Sequence, residues 1–218
     1  MRYYLALLTV LTIAFSPFPT GLSRSIPAAD HAPPLRVTVT GYDREAFGPG
    51  WAHLSEGCTT RTFVMAKAFA ATECSTAYPD WPVDSISDPY TGEQIAPTDV
   101  EVDHLVPLSA AWDMGAHAWP RKRREAFAND PRNLIVVAAA VNREKSDQLP
   151  SEWMPSNWRA RCAYARQLTA VAYAYDLVLP QPDLRAAKRA CAGTAGILGR
   201  EHLAPVRVPE TGKLSGVP

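Results

Sequence analysis

The sequence lacks features that would indicate a membrane protein, a strongly charged binding protein or a zinc ribbon. After residue 16, no apolar run approaches the roughly 18 consecutive residues that a membrane-spanning helix needs. The 22 basic and 22 acidic residues of the 218-residue chain cancel, so no global field attracts a polyanion. The four cysteines form no Cys-x-x-Cys pair, which argues against a zinc ribbon or a thioredoxin-like motif. With 47% hydrophobic residues, the chain can form one globular domain with a sizeable core.

The first 28 residues have the parts of a secretory signal peptide. Arg2 supplies a positive start, residues 5–15 form an apolar run, and the small residues Ala28 and Ala29 offer cleavage sites. A buried N-terminal helix is the alternative. We therefore expect a secreted protein with no membrane association after signal removal. Its expected segments are a signal peptide at 1–28, a linker at 29–40, one domain at 41–195 and a flexible C-terminal tail at 196–218.

The expected export bears on the state of the four cysteines, because a secreted protein meets oxidising conditions. In an oxidising compartment, four cysteines are expected to form two disulfides, in one of three connectivities. Proximity along the chain favours pairing Cys58 with Cys74 and Cys162 with Cys191. Four free buried thiols would instead fit a cytosolic protein.

Apolar periodicity and turn-forming residues predict a mixed α+β domain without internal repeats. Strands are expected at 35–40, 100–103 and 134–137, and a turn signal at 88–92 separates two further short extended segments. Helices are expected at 60–71, 120–128 and 138–145, then as a long amphipathic helix capped by Asn157 and a last helix that opens at Pro182 and carries Cys191.

The centre of the chain has the order strand, connection, strand and short helix. The first strand ends in Asp103 and His104, a connection of about 29 residues carries a helix, and Asn142 lies on the final short helix. Hydrolysis of a phosphodiester requires a base for water and a cation that screens the phosphate. A histidine poised near neutrality and hard oxygen ligands for a divalent ion supply both. An Asp-His pair alone says little about function, so the interpretation depends on the wider sequence pattern around it.

Three segments carry that wider pattern: residues 102–108 (Val-Asp-His-Leu-Val-Pro-Leu), 129–134 (Asn-Asp-Pro-Arg-Asn-Leu) and 142–147 (Asn-Arg-Glu-Lys-Ser-Asp). They resemble the signature of HNH nucleases, including the HNH domains of RNA-guided DNA-cutting enzymes. With further motifs such as Asp88–Gly92, residues 40–192 are similar to a family of small secreted actinobacterial HNH-endonuclease-like proteins. The resemblance implies a ββα-metal (HNH, or His-Me finger) core in a mostly helical single domain stapled by disulfides.

The resemblance also implies a role for each signature residue. His104 would be the general base that activates water, and Asp103 and Asn142 would bind Mg²⁺ or Mn²⁺, with waters completing the coordination. Asn133 would brace the His104 loop or orient its ring, and a purely structural role in the turn is the alternative. Lys145 would approach a phosphate oxygen, or remain a solvated charge.

Basic residues between the signature segments are candidates for binding the nucleic-acid backbone. The run from Arg121 to Arg124, with Arg132 and Arg143, would neutralise phosphates independently of base sequence, or form a solvated helix face. The tryptophans at 112, 119, 153 and 158 would pack in or around the core, or stack on unpaired bases.

We therefore expect a secreted, monomeric, metal-dependent endonuclease acting on DNA, and in second place RNA, with little sequence specificity. A non-catalytic secreted or cell-surface binding protein on the same scaffold is one alternative, and action on another kind of phosphodiester is a second. Retention of Asp103, His104 and Asn142 together favours the enzyme. One departure from many relatives is Thr59, which stands where they carry an acidic residue after the first cysteine.

Overall fold

The computed structural model describes residues 32–55, 57–74 and 79–192, so the expected signal peptide and C-terminal tail lie outside the described residues. The elements in these ranges are β1 (His53–Ser55), β2 (Cys58–Thr59), α1 (Thr60–Ala68), β3 (Ile86–Ser87), β4 (Gln94–Ile95), β5 (Val100–His104), α2 (Leu108–Asp113), α3 (Arg121–Ala128), β6 (Leu134–Ala138), α4 (Ala139–Lys145), α5 (Arg161–Ala174) and α6 (Gln181–Ala190). Within those ranges, no helix is sufficiently long and apolar to cross a lipid bilayer. The prediction of a mixed α and β fold is confirmed.

The central hairpin pairs β5 with β6 in antiparallel register. Val100 lies opposite Ala138 at one end, and His104 lies opposite Leu134 at the other. Helix α4 begins directly after β6, so the strand–strand–helix order predicted from the sequence is present. The connection between the strands carries α2 and α3, and the other strands form two separate antiparallel pairs, β1 with β2 and β3 with β4.

The hairpin lies between two hydrophobic clusters, which explains why β6 is apolar throughout. Val102 and Val136 face a smaller cluster built on α1, whereas Ile135 and Val137 face the main core around α3 and α5. Opposite residues of an antiparallel pair share a face. The face of Ile135 and Val137 is therefore also the face of Asp103, the polar residue that β5 presents beside the core.

Each of the two hydrophobic clusters contains one disulfide. Cys58 pairs with Cys74, and Cys162 pairs with Cys191, as their proximity in sequence predicts. The first disulfide joins β2 to the segment after α1, and the second joins α5 to the end of α6. Thr59 caps α1: its hydroxyl accepts a hydrogen bond from the backbone N–H of Thr62.

The expected strand at 35–40 is not formed, although its residues alternate. Arg36 instead donates hydrogen bonds to the carboxylates of Asp113 and Asp147, and the backbone N–H of Val39 donates to Asp113. Alternation predicts a strand only where a partner strand is available, and here acidic side chains take that place. This end of the expected linker therefore contacts the domain.

Several helix boundaries differ from those predicted. Helix α1 ends at Ala68, short of residue 71, and Ala70 then adopts a left-handed backbone conformation with φ 58°. Asn157 does not cap α5, which begins at Arg161; its side chain accepts from the backbone N–H of Arg159 within the preceding turn. Pro120 lies just before α3, and α6 begins at Gln181, one residue before the expected Pro182. The carboxyl-terminal end of α6 is Ala190, so Cys191 follows the helix.

Candidate active site

A cavity of about 260 Å³ opens at the end of β5, where the central hairpin meets α4. Asp103, His104 and Asn142, the three residues expected to form a catalytic centre, all line it. Tyr42, Arg44 and Asp147 also contribute to its walls. Residues from segments that are far apart in the sequence, from Tyr42 to Asp147, therefore meet at one pocket.

Asp103 is held in a buried hydrogen-bond network. Its side chain is only 5% exposed, and its carboxylate accepts from the Tyr90 hydroxyl at 2.6 Å and from the Lys145 amine at 3.0 Å. Burial raises the pKa of the Asp103 carboxyl, and the nearby Lys145 charge opposes that shift. The Asp88–Gly92 turn positions Tyr90, and Asp88 itself accepts from the backbone N–H of Ala138, where β6 meets α4. The turn thus holds both Tyr90, which binds Asp103, and the junction of β6 and α4 in position.

Lys145 was expected to contact a phosphate or to be a solvated charge, and the structure shows neither environment. It is fully buried, with 0% exposure, and its amine also donates to the His104 carbonyl oxygen at 2.9 Å. Burial lowers the pKa of its amine, and the Asp103 carboxylate opposes that shift. Lys145 is therefore neither a solvated charge nor available to a phosphate, and its role is to neutralise Asp103.

The His104 ring has a defined tautomer and orientation. Its Nε2 lies 2.8 Å from the Ala128 carbonyl oxygen, and because a carbonyl can only accept, Nε2 carries the proton. The ring is 7% exposed and stacks on Trp51, with centroids 5.6 Å apart and planes at 3°. Burial lowers the pKa of His104 to about 4; the bond to the Ala128 carbonyl opposes this shift, and the charges of Arg44 and Lys145 contribute to it. The ring is therefore neutral near pH 7, with its Nδ1 lone pair able to accept a proton.

Asn133 braces the loop that follows His104. Its amide oxygen accepts from the backbone N–H of Val106 at 2.8 Å, and its amide nitrogen donates to the Val106 carbonyl at 3.1 Å. The Asn133 carbonyl also accepts from the backbone N–H of Leu105. Its side-chain hydrogen bonds, as the structure describes them, go to backbone rather than to the His104 ring. These contacts brace the loop, and a catalytic role for Asn133 stays a prediction.

Glu101 is a site residue that the sequence interpretation missed. It accepts from the Asn142 amide nitrogen at 2.7 Å and from the Arg143 guanidinium at 3.3 Å. With its nitrogen engaged, the Asn142 amide retains its oxygen for another partner. Glu101 lies two positions before Asp103, so strand alternation places both on one face. That alternation was the sequence signal that could have identified it.

Most of the arginines expected to form a patch contact neighbouring groups of the protein. Arg121 pairs with Glu125, Arg132 pairs with Asp130, and Arg143 pairs with Glu101. Arg124 donates to the backbone carbonyls of Ala46 and Trp119. None of these arginines lines the 260 Å³ cavity. Of the four tryptophans considered for stacking, Trp112, Trp119 and Trp153 pack in or against the core, and Trp158 is the exposed one.

Comparison with known proteins identifies the family. Residues 61–176 match the family described as GmrSD restriction endonucleases, C-terminal domain. The chain belongs to this family. The region that matches the GmrSD C-terminal domain contains the whole hairpin, α4 and the lining residues Asp103, His104 and Asn142. The prediction of a nuclease-related domain is therefore confirmed at the level of the family.

A relative from Arthroderma benhamiae extends the match beyond the GmrSD region. It is named an uncharacterized secreted protein and is 35% identical over 193 residues, which cover 81% of this chain and 92% of the relative. No solved structure matches. An actinobacterial origin of the family stays a prediction.

The pocket contains oxygen donors of the types that hard divalent cations, which HNH-type domains generally use, bind. The Asp103 carboxylate and the Asn142 amide oxygen belong to residues that line the same cavity. Across the described ranges, no group of three or more His, Cys, Asp or Glu residues is arranged to hold a metal ion. Mg²⁺ is commonly bound through one or two carboxylates while keeping several waters, so two protein oxygens are compatible with it.

Proposed function

We propose that this protein is a secreted endonuclease that hydrolyses phosphodiester bonds of nucleic acid, with DNA as the main substrate and little sequence specificity. The observation that carries the proposal is the meeting of Asp103, His104 and Asn142 at one pocket, in a chain of the GmrSD C-terminal domain family. Restriction endonucleases act on DNA, which favours DNA over RNA. The protein acts as a monomer through an HNH-type ββα-metal core.

His104 is the general base in this proposal. Its Nδ1 accepts the proton of the attacking water, while the bond from Nε2 to the Ala128 carbonyl keeps the ring in the required tautomer. Stacking on Trp51 limits rotation of the ring, so the lone pair keeps its direction. The lowered pKa means that the base is unprotonated over the whole neutral range.

Asp103 and Asn142 would hold Mg²⁺ or Mn²⁺, which when bound would act as a Lewis acid on the scissile phosphate. Tyr90 and Lys145 fix the Asp103 carboxylate. Glu101 binds the Asn142 amide nitrogen, which leaves the amide oxygen for the ion. Partners of this kind orient the ligands and strongly influence affinity for the ion.

Two features support secretion. The Arthroderma benhamiae relative carries the name of a secreted protein. The two disulfides of this chain are typical of oxidising compartments. An N-terminal signal peptide that is removed on export completes the proposal.

The test is plasmid cleavage by the oxidised protein, expressed without residues 1–28, in the presence of Mg²⁺ or Mn²⁺. We expect cleavage, its loss with EDTA, and a decrease of at least about 100-fold in His104→Ala, since general-base catalysis contributes about that much. His53→Ala is the matched control, because His53 is exposed and outside the pocket. Absence of cleavage of plasmid, single-stranded DNA and RNA with every divalent ion tried would refute the proposal and favour the non-catalytic binding protein.

A further inference from the structure

Arg44 begins a short 3₁₀ helix, Arg44–Phe47, that is firmly attached to the domain. Asp43 precedes it and accepts from the backbone N–H of Glu45 at 2.9 Å. Phe47 is buried against Phe127 of α3, with ring centroids 6.2 Å apart. The backbone of Arg44 is therefore held in place, although its side chain is exposed.

Arg44 lines two cavities of the domain. It lines the 260 Å³ cavity that contains Asp103 and Asn142, and it also lines a second cavity of about 100 Å³ beside Trp51. His104 lines both cavities as well. Arg44 is therefore next to the candidate base, on the open side of the pocket.

The guanidinium of Arg44 is uncommitted, unlike the other cations near the pocket. In the described part of the chain its side chain makes no hydrogen bond and no ion pair. Lys145 pairs with Asp103, and Arg143 pairs with Glu101. Arg36 pairs with Asp147, which lines the pocket. An uncommitted guanidinium at the mouth of a pocket is free to bind an anion, and its planar donors match phosphate oxygens well.

We propose that Arg44 is the phosphate-binding residue of the pocket and contacts the non-bridging oxygens of the phosphodiester to be cleaved. This inference rests on the proposed function for the identity of the anion. It assigns to Arg44 the role that the sequence interpretation gave to Lys145. The guanidinium also stabilises the charge that develops on the phosphoryl oxygens as water attacks.

The test compares Arg44→Gln and Arg44→Lys with the control Arg166→Gln. Arg166 is exposed on α5 and lies outside both cavities. Binding of a fluorescein-labelled DNA duplex is followed by anisotropy in EDTA over a range of salt concentrations, so that no cleavage is needed. Thermal unfolding of each variant shows that it is folded.

We expect Arg44→Gln to weaken binding by about 10- to 100-fold, as for loss of a charge-assisted hydrogen bond. The slope of log K against log salt should become shallower by about 0.9, the value for one phosphate contact on a duplex. Arg44→Lys should keep the slope while binding more weakly, and Arg166→Gln should match the unchanged protein. A merely structural role for Arg44 would not alter the slope.

The two proposals can fail separately. If Arg44→Gln keeps the unchanged protein's slope and affinity, the Arg44 assignment is wrong, even if the protein cleaves plasmid. If the slope changes as expected but no variant cleaves nucleic acid with any divalent ion, the phosphate site stands and the endonuclease proposal fails. Where cleavage is measurable, Arg44→Gln should also lower kcat/KM by about 10-fold or more.

Discussion

Replacing Lys145 by methionine tests the buried ion pair at the base of the pocket. Methionine keeps most of the side-chain length and volume but removes the cation that faces Asp103 at 3.0 Å. It also removes the donor to the His104 carbonyl at 2.9 Å. Asp103 would then be a 5% exposed carboxylate without its cation.

The expected loss of stability is large. Breaking a buried ion pair by removing one partner costs about 3–5 kcal/mol, because the remaining charge is uncompensated. A domain of this kind has a free energy of unfolding of about 5–15 kcal/mol, so the variant would lose a substantial fraction of it. Protonation of Asp103 removes the charge, and its pKa is already raised in the folded protein. The deficit of Lys145→Met should therefore shrink as pH falls and grow as pH rises.

Urea unfolding of the oxidised protein measures these free energies. The double variant Asp103→Asn with Lys145→Met is the key comparison, since Asn still accepts from the Tyr90 hydroxyl and no buried charge remains. We expect the double variant to be more stable than Lys145→Met alone at neutral pH. A loss below about 1 kcal/mol in Lys145→Met, or a double variant as unstable as the sum of both single changes, would show that the pair does not neutralise Asp103 in solution.

Three further stability predictions follow from the site and the disulfides. Burial lowers the pKa of His104 from 6.5 to about 4 in the folded protein. The neutral ring therefore contributes about 3 kcal/mol to the free energy of unfolding above pH 6.5, and this contribution is lost as pH falls towards 4. Urea midpoints of His104→Gln should therefore fall less steeply over that range, and parallel profiles would contradict the assignment. Asn133→Ala leaves both backbone groups of Val106 without partners and should cost about 2–4 kcal/mol in urea unfolding, whereas a cost near zero would mean that water replaces the amide. Replacing Cys162 and Cys191 by alanine opens a loop of 29 residues and should cost about 3.5 kcal/mol by chain entropy, measured by thermal unfolding, with an unchanged midpoint as the contrary result.

The local order of elements around the site was predictable from the sequence. The hairpin strands and α4 follow from short-range signals, namely an apolar run, the proline and glycine turn residues, and a row of helix formers. Cysteine pairing was also predictable here, because each disulfide joins cysteines that are near neighbours in the chain. The expected strand at 35–40 failed because alternation describes one segment and contains no information about a partner strand.

The environment of each charged residue was decided only by the tertiary structure. Lysine is usually exposed, so nothing local in α4 distinguishes Lys145, and its burial follows from Asp103, which is 42 positions away. Arg44 likewise lies at the pocket on a short helix that Phe47 anchors against Phe127, 80 positions away. The local motif therefore contains the residue types that the proposed phosphodiester chemistry requires. Packing between distant segments determines which cations are neutralised inside the protein and which are available to an anion.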